Sequence, residues 1–201
     1  MAESLVDAGN RRRAARVVTE LFAPAQTAIV LLILVAVHSA PSAASATASG
    51  LIAAVLVGVV PYWYVRRGVR QGRWANHHVP QREQRRRPLL AALTSAACGL
   101  VVLLLLGAAR ELLALIAAMC VGLAVSVAVS HFWKMSIHTA VVSGAAVVLG
   151  IVFGPIAYAA WLVVASVGWS RVEVGDHTLA QVLAGGAIGA AVAGAAFPLL
   201  R

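Results

Sequence analysis

The sequence predicts an all-α protein, a polytopic transmembrane helical bundle of about six to seven spans built as one core. Three observations lead there. Of 201 residues, 61% are hydrophobic and 11% charged, too few polar groups to coat a water-soluble domain. The apolar runs approach the ~20 residues needed to cross a ~30 Å hydrocarbon layer. No segment has the alternating ten-residue pattern of a membrane barrel strand.

The elements follow in order. Residues 1–20 are mixed and charged, with Arg11, Arg12, Arg13 and Arg16 in a block, and read as a cytoplasmic N-terminal segment. Residues 21–201 then form a single membrane domain. Leu21 to Val37 is the first span; the small residues from Ser39 to Ala46 resemble a signal-cleavage site, but the segment is read as retained. A second span, Ser49 to Tyr64, ends in Arg66, Arg67, Arg70 and Arg73. Pro88 opens a third, to Leu106, at a position where its missing N–H costs nothing. After a turn from Gly107 to Arg110, a fourth runs from Leu112 to Phe132. The stretch from Ser136 to Ser170 would be about 50 Å long as one helix, too long for a bilayer. Gly154-Pro155 divides it into His138 to Phe153 and Pro155 to Trp169, and Thr178 to Leu200 closes the chain.

Seven crossings put the loops after the second, fourth and sixth spans on the N-terminal side. Those loops carry most of the arginine, and Lys/Arg excess marks the cytoplasmic face. The net charge of +9 belongs to topology and lipid phosphates, so the bilayer is the expected partner and nucleic acid is not. Fifteen of the sixteen cations are arginine, whose planar fork matches phosphate oxygens. The seven carboxylates are scattered, which argues against a Mg²⁺ site. Cys98 and Cys120 lie in apolar runs and read as packing residues.

Three polar clusters stand on that one side. Ser170-Arg171, five residues, His177, three residues and Gln181 make up one. If Asp176 caps the last span, His177 falls in its first turn and Gln181 shares its face. Lys134, Ser136 and His138 make the second, with the only lysine of the chain one helical turn from the histidine. The third runs from Asn76 through His77, His78, Arg82 and Arg85 to Arg87. Each cluster alone also reads as an interfacial anchor or a headgroup contact.

In order and spacing the clusters resemble the three-part signature of the type-2 phosphatidic acid phosphatase superfamily, the membrane lipid phosphatases related to vanadium haloperoxidases. That pattern is Lys, six residues, Arg-Pro; then Pro-Ser-Gly-His; then Ser-Arg, five residues, His, three residues, Asp. Ser170, Arg171 and His177 match the third part, with Gln181 in place of Asp. Ser136 and His138 match the second, with Met135 and Ile137 replacing Pro and Gly. His78 and Arg85 fit the first, with His for Lys, and Pro88 follows three positions after the arginine. The resemblance covers Asn76 to the C-terminus and looks like a small actinobacterial-type branch.

The resemblance implies a metal-independent lipid phosphatase without a cofactor, in the bacterial inner (plasma) membrane with its site on the cytoplasmic face. His177 would attack phosphorus and carry the phosphoryl group, His138 would protonate the leaving oxygen, and Gln181 would hold the nucleophile, unless Glu173 or Asp176 does so. Arg171, Arg85, Arg82, Lys134, Ser136, Ser170 and His78 would bind the phosphate. The substrate would be an isoprenyl or phosphatidyl phosphate or diphosphate. Gly185, Gly189 and Gly194 offer either close helix packing or room for its chain. A non-catalytic scaffold or carrier of the same fold is the alternative. Oligomeric state is not legible.

Overall fold

In the computed structural model, which describes residues 2–79 and 81–201, the secondary structure is helical throughout and no strand occurs among the described residues. The helices are α1 (Ala2–Leu21), α2 (Pro24–Ser39), α3 (Ala43–Ala53), α4 (Val60–Arg70), α5 (Arg86–Leu105), α6 (Arg110–Phe132), α7 (Ile137–Phe153), α8 (Ala160–Glu173) and α9 (Leu179–Leu200). A π-helical stretch, Ala54–Val59, joins α3 to α4 into one rod.

That π stretch has a local cause. Pro61 has no N–H to return to the preceding turn, so carbonyls before it lose their partners. Val60 donates five residues back to Val55, and the Ser95 hydroxyl of α5 donates to the Leu56 carbonyl at 2.5 Å.

Among the described residues four helical rods are long and apolar enough to cross a membrane: Ala43–Arg70, Arg82–Leu105, Arg110–Phe132 and Leu179–Leu200. A fifth arises if Gly9–Leu21 and Pro24–Ser39, bent by 46°, count as one span. The expected six to seven is therefore met only in part. Helix α7 has 17 residues, roughly 26 Å, and α8 has 14, roughly 21 Å. The break between them falls where the sequence predicts: α7 stops at Phe153, Gly154 turns with φ 76°, and Pro155 starts a 3₁₀ stretch leading to α8.

The bundle has two distinct ends. At one, the His38 ring meets Phe153 with centroids 5.0 Å apart, and Arg201 pairs with Glu111 at 3.8 Å. The dry core lies towards that end, around Leu32, Val35, Leu103, Leu112, Leu115 and Phe197, all essentially inaccessible. At the other end the loops before α5, between α6 and α7 and between α8 and α9 converge.

Helices α7 and α9 set the geometry of that second end. A Cβ at Gly189 would overlap the Ala140 backbone, and one at Gly185 the Ser136 carbonyl. Glycine at both positions lets α9 lie against α7, close enough for hydrogen bonds between the two. Thr139 Oγ1 donates to the Val182 carbonyl at 3.0 Å, Ser143 Oγ to Gly186 at 2.7 Å, and the Ser136 N–H to Gln181 at 3.1 Å. In lipid, where apolar burial drives little association, such close packing and polar ties hold helices together. Gly185 and Gly189 thus serve packing, whereas Gly194 makes only ordinary contact with Val147.

The N-terminal segment is not an appendage. Helix α1 packs along α8 through Thr19, hydrogen-bonded to Ser170 at 3.1 Å, and Arg11, paired with Glu173 at 3.2 Å.

Candidate functional site

The spacing of the third cluster follows from how α8 ends. Arg171 sits in its last turn, Gly175 reverses the chain with φ 85°, and the His177 N–H returns to the Arg171 carbonyl at 3.2 Å. Asp176 does not cap α9. Thr178 does, in a capping box with Gln181, which leaves His177 just outside the helix. Asp176 instead takes the Arg171 guanidinium, NH2 to Oδ2 at 2.5 Å.

Gln181 has the contact its spacing implies. Its Oε1 lies 3.0 Å from His177 Nδ1 and also accepts the Thr178 N–H at 3.3 Å. The second contact fixes the amide: a flipped NH₂ would face a backbone N–H. An oxygen acceptor puts the His177 proton on Nδ1 and leaves Nε2 unprotonated, an acceptor facing the cavity. Arg85 NH2 points at that Nε2 from 3.4 Å. Burial and the cationic Arg85 and Arg171 lower the His177 pKa to about 4, so the ring is neutral near pH 7. Neither Glu173 nor Asp176 reaches the ring's Nδ1; they are engaged by Arg11 and Arg171.

Arg85 is 5% exposed and ties the first cluster to the second. Its Nε donates to the Val79 carbonyl at 3.0 Å and its NH1 to Met135 at 2.8 Å. Val79 has φ 43°, a strained value for a β-branched residue, and presents this carbonyl to Arg85.

His138 occupies the first turn of α7, which Ser136 caps. The His138 ring is 5% exposed, its Nε2 has no partner, and its centroid lies 5.1 Å from that of His78. Arg171 is 1% exposed, and its Nε and NH1 also lack partners. Buried N–H groups are nearly always hydrogen-bonded, so orphaned donors on a guanidinium mark a place for an anion.

These groups share one cavity of about 300 Å³. Arg85, Arg171, His78, His138 and His177 line it, and the rest of its wall is mostly apolar, reaching Leu115, Val148 and Ala193. From His138 to Val148 along α7 is ten residues, roughly 15 Å of depth. The wall combines a cationic, imidazole-bearing portion with a hydrocarbon-like one.

Four of the expected phosphate ligands have other duties. Arg82 NH1 donates to the His131 and Phe132 carbonyls, closing the end of α6, at 3.2 and 2.8 Å. Lys134 is not on a helix beside His138; it lies in the loop after α6 and donates to the Asp176 carbonyl at 2.7 Å. Burial and the nearby Arg85 lower its pKa. Ser136 is fully buried as a cap, and the Ser170 hydroxyl turns to Thr19 and the Val167 carbonyl. All four position the loops rather than line the cavity.

The sequence places His77 in the Asn76–Arg87 cluster without a role and gives Glu20 none. Glu20 lies on α1, far from the clusters in the chain, and accepts from His78 Nε2 at 2.8 Å and His77 Nε2 at 3.1 Å. The charged block ahead of the first span carried no periodic signal that it folds back onto the site. Compared with known protein families, with curated proteins and with solved structures, the chain has no match.

Proposed function

We propose that this chain is an integral-membrane lipid phosphatase of the type-2 phosphatidic acid phosphatase kind. It would hydrolyse an isoprenyl or phosphatidyl phosphate or diphosphate through a phosphohistidine. The observation that carries the reading is the pairing of unpartnered Arg171 N–H groups with the unprotonated Nε2 of a neutral His177 in one mainly apolar cavity.

In this reading His177 Nε2 attacks the terminal phosphorus, the bond to the leaving oxygen (the lipid's own, or the bridging oxygen of a diphosphate) breaks, and that oxygen takes a proton from His138. Water, giving its proton back to His138, then attacks the phosphohistidine; the P–N bond breaks and orthophosphate leaves. Arg171 and Arg85 neutralise the nonbridging oxygens throughout, which is where most phosphoryl-transfer catalysis resides. The bound dianion supplies the negative charge against which the His138 imidazolium forms. Gln181 orients the ring but adds no charge, so it supports the developing imidazolium less than a carboxylate would.

In the bilayer we take the short α7 and α8 as crossings, making seven with α2, the α3–α4 rod, α5, α6 and α9. The arginines of residues 66–87 and of α1 gather at the end bearing the cavity, which favours the cytoplasmic face of a bacterial plasma membrane.

The test is phosphate release from lipid phosphates in detergent micelles without added Mg²⁺. Wild type should turn over, and His177→Ala should lose on the order of 10³-fold or more while keeping its helical CD spectrum and melting temperature. A variant with most of its activity left removes the nucleophile. Lipid-phosphate binding without any release by wild type would favour the scaffold reading, to which the neutral amide on His177 lends itself.

A further inference from the structure

Where the cavity wall reaches His77 and His78, three donors from distant parts of the chain meet at one point. His77 Nε2 and His78 Nε2 approach different oxygens of the Glu20 carboxylate, at 3.1 and 2.8 Å, and the three ligand atoms lie within 4.8 Å of one another. Adjacent side chains on extended backbone point apart, yet these two rings stand 4.0 Å apart at their centroids. A turn achieves it: Asn76 Oδ1 accepts the His78 N–H at 3.0 Å and the Asn76 carbonyl accepts the Val79 N–H at 3.2 Å.

We propose that Glu20, His77 and His78 form a binding site for a borderline divalent cation of the zinc type. Two imidazoles and one carboxylate are a common zinc donor set, and a tetrahedral ion at about 2.0–2.1 Å holds its ligands roughly 3.3 Å apart. The present spacings need only a small opening to admit it. The Glu20 side chain is half exposed, which gives an ion a path in and leaves a fourth position for water. The two imidazole nitrogens select the zinc-like metals over a hard, oxygen-seeking ion such as Mg²⁺. The ion would latch the last turn of α1 to the loop that carries His78 and Arg85. The proposal is independent of the phosphatase reading, because its readout is metal and not turnover.

Two neutral imidazoles donating to a carboxylate would make the same contacts without an ion, and the experiment separates the two. Full-length protein in detergent, purified with a tag free of histidine and stripped with EDTA, is titrated with ZnCl₂ and with MgCl₂ and its bound metal measured after dialysis. The expected result is about one Zn²⁺ per chain, a rise in melting temperature on binding, and no Mg²⁺ uptake. Glu20→Gln keeps an acceptor for one ring and loses the anionic ligand, so its affinity should fall about tenfold or more. His77→Ala should do the same, while His38→Ala and His131→Ala, remote from the site, bind as wild type. Absence of Zn²⁺ on wild type, or unchanged affinity in a folded Glu20→Gln protein, overturns the proposal.

Discussion

Replacing Gln181 by Glu changes the charge on one acceptor and little of the shape around it. Both residues complete a capping box with Thr178, so α9 starts as before. Only the atom 3.0 Å from His177 Nδ1 becomes anionic. A hydrogen bond to a neutral acceptor contributes about 1 kcal/mol and one to a charged group about 1.5–3 kcal/mol. The imidazolium thus gains about 1 kcal/mol over the neutral ring, close to one pKa unit. The His177 pKa should move from about 4 in wild type to roughly 5 in the variant. Protonation removes the Nε2 lone pair, so the acid limb of kcat/KM should shift to higher pH by the same amount. At pH 7 the ring stays neutral in both proteins, and the rate should hold or rise by up to about fivefold as positive charge develops on the attacking ring. Histidine-selective ¹⁵N NMR in micelles reads the pKa, and a pH–rate profile reads the limb. An unchanged or lowered His177 pKa would mean that the amide does not govern this ring.

Three further outcomes are expected. The depressed His177 pKa makes the unfolded chain bind its proton first as pH falls, so stability from this group is full above pH 6.5 and lost towards about pH 4. Melting temperatures taken across that window should decline, and His177→Ala should flatten the decline. Gly189→Ala pushes a methyl into the Ala140 backbone and should cost about 1–3 kcal/mol in a denaturant titration, whereas Gly186→Ala, which meets open space, should be neutral or better. Arg82→Ala should leave KM for the lipid phosphate within about twofold and cost about 1 kcal/mol of stability, because its guanidinium closes α6 instead of lining the cavity. A tenfold KM change would return Arg82 to the phosphate.

Some of the site was legible because it rests on local chemistry. The four-residue step from His177 to Gln181 does bring ring and amide together, although through a cap at Thr178 and not at Asp176. Arg85 and Arg171, expected at the phosphate from the resemblance, are both buried on the cavity wall. Lys134 was read on a helix with His138 because spacing suggested one; α6 ends at Phe132, and the next four residues are irregular. A residue type that suits phosphate also suits backbone carbonyls, so Arg82, Lys134 and Ser136 could not be sorted without coordinates.

The sequence by itself determined the class of molecule, because hydropathy and the scarcity of charge leave few other ways to satisfy a backbone in hydrocarbon. It also determined the break at Gly154-Pro155, since an unfavourable φ and a missing N–H act within a few residues. Tertiary structure alone decided which arginines keep free N–H groups, that α1 folds back to bring Glu20 to His77 and His78, and how far the cavity extends towards Val148. Those features depend on how closely α7 meets α9 and how α1 lies on α8, contacts between segments more than 40 and 150 residues apart in the chain. Local pattern has no access to separations of that length; packing does.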